Sequence, residues 1–243
     1  MTEFSEKLLQ LFAAYEIPAS EDQAAALERY AELLTEWNQK MNLTAIVDPE
    51  GIRVKHFLDS ALALRCLHLS GRVVDVGTGA GFPGLPLALA RADLRVTLMD
   101  AQQKRLNFLQ AVLDALDVQN VTLVHARAED GARRKEHREC YDVAVARAVA
   151  PLPVLAEYLL PYVKVGGKAV CWKGPAVQDE LGAGKKAAFL LGGKLAEPIP
   201  VAIPGQEWQH LLLPIAKQTK TARQYPRKAG TPGKSPLGQT DKA

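Results

Sequence analysis

The sequence predicts an α/β fold: a doubly wound, mostly parallel sheet of seven strands with a helical N-terminal extension. Apolar runs of strand length alternate with helical patterns from Arg72 onward, which is typical of a parallel sheet covered by helices on both faces. A glycine-rich turn joins the first apolar run to the next helix, and no strand pattern occurs before Arg72. We therefore expect a helical extension over residues 1–70, a sheet domain over 71–216 and a basic tail over 217–243.

The extension begins with two amphipathic helices, and a shorter third helix follows. Apolar residues recur on one face of the first helix, which ends at Ile17-Pro18-Ala19. Ser20-Glu-Asp-Gln23 has the pattern of a capping box and starts the second helix. Asp48-Pro49-Glu50 starts the third, which carries His56 and Asp59.

The sheet domain alternates candidate strands with candidate helices. The predicted strands are 73–76, 95–100, 121–126, 142–146, 168–172, 198–203 and 210–215. The predicted helices are 83–91, 103–116, 152–160 and 177–190. Because the last two strands lie close together in the chain, we expect them to form a terminal hairpin. The tail from Thr219, rich in Lys, Arg, Pro and Gly, is expected to be loop or disorder.

The glycine-rich turn predicts a nucleotide-cofactor site. Its glycines follow the first strand directly and are Gly77, Gly79, Gly81 and Gly84. Without Cβ atoms the backbone can bend sharply and approach a ligand closely. The spacing fits a dinucleotide, but Asp75 in the strand and Pro83, which removes an N–H that a pyrophosphate would use, favour S-adenosylmethionine (SAM). A nicotinamide cofactor and a turn with no ligand are the alternatives.

Three charged residues follow strand ends, where open α/β sheets bind ligands. Asp100 is placed to accept hydrogen bonds from ribose hydroxyls, and a role as cap of the helix that begins at Gln103 is an alternative compatible with it. Glu129, after Ala128, is placed to meet an adenine edge, or it belongs to a solvated acidic loop. Arg147 has apolar neighbours and is expected to hold the carboxylate of the cofactor or to orient a base, with an internal salt bridge as the alternative.

The third helix of the extension carries a second group of candidates. His56 and Asp59 lie three residues apart on one helical face. An acid–base pair is one interpretation, although a structural role is more common for such neighbours. Arg53 and Lys55 beside them are candidate phosphate contacts.

Charge is unevenly distributed, although the formal net charge is only +3. Residues 1–70 carry 6 basic and 11 acidic side chains, whereas residues 216–243 carry 7 basic side chains and one acidic one. A basic tail often contacts nucleic acid, and a solvated terminus is an equal alternative. The three cysteines have no metal-ligand spacing, and no apolar run reaches the ~20 residues that a membrane span needs. We therefore expect a cytoplasmic protein with no secretory signal, no membrane segment and no metal site.

Several motifs together resemble one protein family. They are Asn42-Leu-Thr-Ala45, Val54-Lys-His-Phe-Leu-Asp-Ser60, Asp75-Val-Gly-Thr-Gly-Ala-Gly-Phe-Pro-Gly84, Arg147-Ala and a tail with Tyr225-Pro-Arg227, Gly230, Pro232, Lys234 and Pro236-Leu. In order and spacing they are similar to the RsmG (GidB) family of bacterial small-subunit ribosomal RNA methyltransferases. The resemblance implies a class I, Rossmann-like methyltransferase fold, SAM as cofactor, and methylation of N7 of one guanosine in the 530 loop of 16S rRNA, conventionally position 527.

The resemblance also implies particular site residues. The SAM contacts would fall on Gly77, Gly79, Phe82, Asp100, Ala101, Gln102, Ala128, Glu129 and Arg147. Because guanine N7 has a free lone pair and no proton at neutral pH, we expect no general base, only positioning of the guanine by Arg147 or His56. RNA contacts would fall on Arg53, Lys55, Lys217, Lys220, Arg223, Arg227, Lys228 and Lys234, with Arg133, Arg134, Lys135 and Arg138 as further candidates.

The expected partner is 16S rRNA, within the small ribosomal subunit or an assembly intermediate, and the protein is expected to act as a monomer. Three other functions stay open. The chain could methylate another RNA, a protein or a small molecule; it could be a nicotinamide oxidoreductase; or it could be an RNA-binding module without activity.

Overall fold

The computed structural model describes residues 1–147, 149–202 and 209–239. Within these residues the chain forms one sheet with the strands β1 (Arg72–Val76), β2 (Arg95–Asp100), β3 (Val121–His125), β4 (Tyr141–Arg147), β5 (Val163–Lys173), β6 (Gly193–Leu195), β7 (Ile199–Ala202) and β8 (Gln209–Lys217). Their order is β3-β2-β1-β4-β5-β8-β6, and β7 also pairs with β8. Strands β1 to β5 are parallel to one another, and β8 is antiparallel to its neighbours. The predicted mostly parallel α/β sheet is confirmed.

The described sheet has eight strands rather than the predicted seven. The strand expected over 198–203 corresponds to β7, and β6 is an additional strand; both pair with the edge of β8 that β5 does not occupy. Between them the ladder is interrupted before Pro198, which has no N–H to donate. The residues of β6 have no apolar run that could have revealed a strand. Ile203, the end of the predicted strand, lies outside the described residues.

Helices precede the sheet and then alternate with its strands. In the extension they are α1 (Glu3–Ala14), α2 (Glu21–Asn38), α3 (Pro49–Gly51), a π-helical segment (Ile52–Leu58) and α4 (Asp59–Cys66). In the sheet region they are α5 (Gly84–Ala90), α6 (Gln103–Ala115), α7 (Ala128–Gly131), α8 (Leu152–Leu159) and α9 (Leu181–Leu190), with 3₁₀ turns at Leu160–Tyr162 and Pro175–Glu180. The tail contains α10 (Thr231–Lys234). None of these described helices combines the length and apolar character that crossing a membrane requires.

The predicted starts of α2 and α3 are confirmed by their caps. Ser20 Oγ accepts a hydrogen bond from Gln23 N, and Gln23 Oε1 accepts one from Ser20 N. Asp48 Oδ1 accepts a hydrogen bond from Gly51 N, with Pro49 at the first helical position. The third helix then continues through the π-helical segment into α4, a feature that the sequence did not predict.

The two faces of the sheet carry separate apolar cores. Side chains alternate along β1, so that Val73 packs with the extension, α5 and α6, whereas Val74 packs with α8 and α9. Phe57 and Tyr30 of the extension are fully buried in the first core beside Phe108 of α6. The extension is therefore part of the core on one face of the sheet, and this packing brings the π-helical segment to the end of β4.

The tail is expected to be loop or disorder, and its described part, residues 218–239, is irregular apart from α10. It is nevertheless well anchored, and we call it the strap. Thr221 is buried and donates its N–H to Glu139 Oε1, and Arg227 pairs with the fully buried Glu157. Arg138 donates to three strap carbonyls. Composition could not reveal this anchoring, because the partners lie far away in the sequence.

Candidate functional site

A cavity of about 500 Å³ opens at the carboxyl ends of β1 to β4. The reversal of strand order between β1 and β4 places it where open α/β sheets bind ligands. The residues that the sequence singled out for cofactor binding all line it, namely Gly77, Gly79, Phe82, Asp100, Ala101, Gln102, Ala128, Glu129 and Arg147, and His56 joins them. The loops after four strands and the π-helical segment therefore bring together residues that are far apart in the chain, such as His56 and Arg147, which are 91 positions apart.

The glycine loop forms the floor of this cavity, and Asp75 shapes it from below. Gly79 has φ +61°, and a Cβ atom there would meet no protein atom within 4 Å, so it would project into open space. Asp75 is fully buried, and its Oδ2 accepts hydrogen bonds from Thr78 Oγ1 at 2.7 Å and Gly84 N at 2.8 Å. Burial raises the pKa of Asp75 to about 6. Asp75 thus fixes the loop and does not face a ligand.

Asp100 ends β2 and is almost fully buried. Its Oδ2 accepts hydrogen bonds from Gly79 N at 3.0 Å and Arg105 Nη1 at 3.2 Å, and its Oδ1 accepts one from Gln102 N at 2.8 Å. The alternative role as helix cap is wrong, since Gln102 occupies the cap position of α6. Asp100 instead joins the glycine loop to the end of β2, with lone pairs left on both oxygens.

Glu129, on α7, is buried rather than part of a solvated acidic loop. Its Oε1 accepts a hydrogen bond at 2.7 Å from N of Gly230, a strap residue that also lines the cavity. The strap is therefore one wall of the cavity, and a carboxylate of the sheet region holds it there.

Arg147 both lines the cavity and forms an internal salt bridge, so its two predicted roles coexist. Nη1 donates to Asp59 Oδ2 at 2.7 Å and to Lys55 O at 3.0 Å, and Nη2 donates to His56 Nδ1 at 3.1 Å. Its guanidinium also lies over the Phe82 ring, 5.1 Å from the centroid. Asp59 is fully buried, and its other oxygen, Oδ1, accepts from His210 Nδ1 at 2.7 Å. The π-helical segment and α4 thus orient Arg147.

His56 is held as a neutral ring. Because Arg147 can only donate, His56 Nδ1 is the acceptor, and Nε2 therefore carries the proton and donates to Thr44 Oγ1 at 2.9 Å. Burial, followed by the charge of Arg147, lowers the pKa of His56 to about 4. The ring stacks on Phe82 with centroids 4.2 Å apart. Both nitrogens are engaged, so His56 positions its neighbours and has no lone pair for a substrate proton.

Comparison with known proteins gives the family. A family model described as rRNA small subunit methyltransferase G matches residues 23–212. A protein of Alkaliphilus metalliredigens named ribosomal RNA small subunit methyltransferase G is 47% identical over 89% of this chain and 92% of its own length. One of the same name from Desulforamulus reducens is 43% identical over 98% of this chain and 100% of its own. The chain belongs to the rRNA small subunit methyltransferase G family.

The fold of this family member is that of the class I methyltransferases. A solved methyltransferase from Pyrococcus furiosus superposes with a TM-score of 0.54 over 79% of this chain and 98% of that one, at 18% identity. At this identity the likeness concerns the fold alone.

SAM is the cofactor of this methyltransferase, and the loop geometry fits a cofactor without phosphate. The N–H groups of Gly77 and Thr78 donate to Met99 O, those of Gly81 and Phe82 donate to Thr78 O, and that of Gly79 donates to Asp100. A pyrophosphate would find these donors occupied and a carboxylate beside them, which argues against a dinucleotide. Asp100 and Glu129 suit hydroxyl and amino donors, and Arg147 suits a carboxylate.

The structure separates the predicted RNA contacts into different groups. Lys217 is 2% exposed, and its ammonium donates to Leu160 O and Thr221 Oγ1 and pairs with Glu139. Burial lowers its pKa to about 8. A side chain with these partners cannot reach a phosphate, so the prediction for Lys217 is wrong. Arg227 is engaged with Glu157.

The other candidates are more accessible but do not form one surface. Arg53 lies over the Phe4 ring of α1, whereas Lys55 is exposed on another side of the π-helical segment. Arg133 and Arg138 donate to strap carbonyls, which leaves them a structural role. The exposed basic residues of the strap are Lys220, Arg223, Lys228 and Lys234. Lys242 lies outside the described residues.

Several residues that line the cavity are not predicted by the sequence around them. Leu43 and Thr44 are brought there by Asn38, whose Oδ1 accepts from both of their N–H groups and whose Nδ2 donates to Thr44 O. The motif Asn42-Leu-Thr-Ala45 was the available signal, since a polar loop after a long helix often carries function. Neither Tyr158 nor Gly230 has sequence neighbours that indicate a place in the cavity. Gly230 lines it only because the strap packs there.

Proposed function

We propose that this protein transfers the methyl group of SAM to N7 of one guanosine in the 530 loop of 16S rRNA, conventionally position 527, within the small ribosomal subunit or an assembly intermediate. The names of its relatives support small-subunit rRNA as substrate. The proposal further includes action as a monomer in the cytoplasm.

The observation that carries the choice of N7 is the engaged state of the polar side chains beside Arg147. Both nitrogens of His56 and both oxygens of Asp59 have partners, so neither is poised to remove a proton. Guanine N7 needs no base, since it is unprotonated and has a lone pair. A nucleophile that must lose a proton, such as an exocyclic amine, would require an acceptor that these groups do not supply.

SAM, when bound, supplies an electrophilic methyl group on a sulfonium. N7 would take this methyl carbon as the carbon–sulfur bond breaks with its electron pair left on sulfur, so no side chain of the protein would need to accept a proton. The protein contributes position rather than acid–base chemistry. Asp100 would accept from the ribose hydroxyls, Glu129 would accept from the adenine amino group, and Arg147 would donate to the methionine carboxylate through the hydrogens that Asp59, Lys55 and His56 leave available.

RNA binding rests on the four exposed cations of the strap, Lys220, Arg223, Lys228 and Lys234, together with Lys55. Phosphate contacts of this kind are independent of sequence and weaken as salt rises. They would bring the target loop to the edge of the cavity, since the strap residue Gly230 lines it.

The test is to incubate the protein with labelled SAM and small subunits that lack this methyl group, and then to map the modified nucleotide. We expect one labelled guanosine, whose N7 methylation is read by chain cleavage after borohydride and aniline. Label on another base or atom, or on a small molecule in a cell extract but not on subunits, would contradict the proposal and favour the alternative substrate class.

A further inference from the structure

A second cavity, of about 440 Å³, lies beside the cofactor cavity. Among the residues that the structure describes, the two linings share His56 and Arg147 alone. Around this shared wall the second cavity is lined by Lys55 of the π-helical segment, Trp172 and Lys173 at the end of β5, and His210 of β8. In the described part of the chain, the second cavity therefore meets the first one at the wall formed by His56 and Arg147.

We propose that this second cavity binds the base of the target guanosine, an inference that rests on the proposed function. In-line methyl transfer requires two ligands to touch, and His56 and Arg147 mark the place where occupants of the two cavities would meet. The carboxyl ends of β1 to β3 hold the cofactor residues, whereas β5 and β8 supply the second cavity. The division assigns one part of the sheet to each ligand.

The polar lining suits the O6 and N7 edge of guanine. Its charged side chains are the cations Lys55, Lys173 and Arg147, and no carboxylate side chain is among the described lining residues. Lys173 Nζ lies 2.9 Å from both oxygens of Glu180 and donates to Ala150 O at 3.2 Å. With one hydrogen shared between the two carboxylate oxygens, one hydrogen is left for an acceptor such as O6. Adenine presents an amino donor at that position, so cations disfavour it.

The shared wall also leaves N7 free to react. A hydrogen-bond donor aimed at N7 would occupy the lone pair that attacks the methyl group. The Nε2–H of His56 donates to Thr44, and its Nδ1 accepts from Arg147, so the ring offers no donor to the base. Asp59 fixes this arrangement from behind, since its two oxygens accept from Arg147 and His210. A neutral, engaged histidine is what this position needs.

Gly174 gives a direct test, because it lines the second cavity and not the first. Its backbone is extended, with φ −80° and ψ 175°, and an added Cβ would meet nothing within 4 Å. Gly174→Leu should fill the cavity without strain. Gly182→Leu is the matched control, since Gly182 also has open space around it but lies on α9 away from both cavities.

We expect Gly174→Leu to keep its affinity for SAM, measured by calorimetry, and to lose at least about tenfold in kcat/KM for undermethylated small subunits. Gly182→Leu should match the wild type in both. Equal activity of the two variants, or a parallel loss of SAM affinity in Gly174→Leu, would overturn the proposal.

A second measurement needs no variant. Small subunits reconstituted with 16S rRNA that contains 6-thioguanosine are irradiated together with the protein and unlabelled SAM, and the crosslinked peptide is sequenced. A crosslink at residues 172–174 supports the proposal, and crosslinks confined to the strap overturn it. This outcome is separate from the proposed function, which fails if the wild-type protein methylates no guanosine N7 whatever the crosslink shows.

Discussion

The two ends of the chain both reach the cofactor cavity, but they do so in different ways. The N-terminal wall, made of Leu43, Thr44 and His56, is joined to Arg147 by hydrogen bonds and to Phe82 by ring stacking. The strap touches the cavity through the backbone of Gly230 and is anchored further away. The N-terminal wall orients the side chains of Arg147 and Phe82, and the strap closes one edge of the cavity. Substitutions in the wall should therefore lower SAM affinity and catalysis together. Substitutions in the strap should fall into two groups, those that loosen its anchoring and those that weaken RNA binding.

The largest effect is expected from Asp59→Ala, which removes the buried acceptor that holds Arg147 against the N-terminal wall. It leaves Arg147 and His210 without this carboxylate, and breaking a buried ion pair costs about 4 kcal/mol of unfolding free energy. Urea unfolding measures the loss, and calorimetry should show weaker SAM binding because Arg147 is no longer held. Asp59→Asn, which keeps the volume and one acceptor, should lose less on both measures. Unchanged SAM affinity in both variants would show that Arg147 is oriented without Asp59.

A smaller effect is expected from Arg227→Ala, the corresponding change in the strap. The fully buried Glu157 loses three side-chain hydrogen bonds, at 2.6 Å, 3.0 Å and 3.1 Å, so we expect about 3 kcal/mol of destabilisation. SAM affinity should fall as well, since the strap holds Gly230 at the cavity. Lys228→Ala is the matched control, because its side chain is the exposed neighbour. If SAM affinity is equal in the two variants, the strap is not a wall of the cofactor site.

Acid should weaken the N-terminal wall. The pKa of His56 is lowered in the folded state to about 4 from an ordinary 6.5. The contribution of the neutral ring to the free energy of unfolding is therefore complete above pH 6.5 and is lost as pH falls toward 4. At pH 5 the loss is about 2 kcal/mol. Asp75 acts in the opposite direction, since its raised pKa makes the folded state more favourable as pH falls from 6 toward 3.8. His56→Gln should have a smaller loss of stability between pH 6.5 and 5 than the wild type, and equal slopes would contradict the assignment.

The residues at the strand ends and the side chains that hold them in place differ in how far the sequence could predict them. Asp100, Glu129 and Arg147 were found because strand ends of a parallel sheet meet at one edge, a rule that depends only on local pattern and topology. The sequence did not predict Asp59 as the partner of Arg147, because the two are 88 residues apart and nothing in the third helix indicated its π-helical segment. The division of the chain at residues 70 and 216 stays a prediction.

The strap shows the limit more clearly. Its composition is basic, yet Arg227 of the strap and Lys217 at the end of β8 pair with Glu157 and Glu139, which are buried or half-buried acids of the sheet region. A basic residue that pairs internally and one that meets RNA look alike in a sequence. Burial separates them, and burial depends on the tertiary packing.

The smallest effects of single substitutions are expected at the exposed cations of the strap. Lys220→Ala and Arg223→Ala should leave the unfolding free energy and SAM affinity unchanged, since both side chains are exposed. Each should weaken binding to small subunits and lower the slope of log Kd against log salt by about one, as the loss of one phosphate contact does. Lys40→Ala, an exposed cation of the extension, is the matched control. If the salt slope is unchanged in all three variants, the strap only closes the cavity and RNA binds elsewhere.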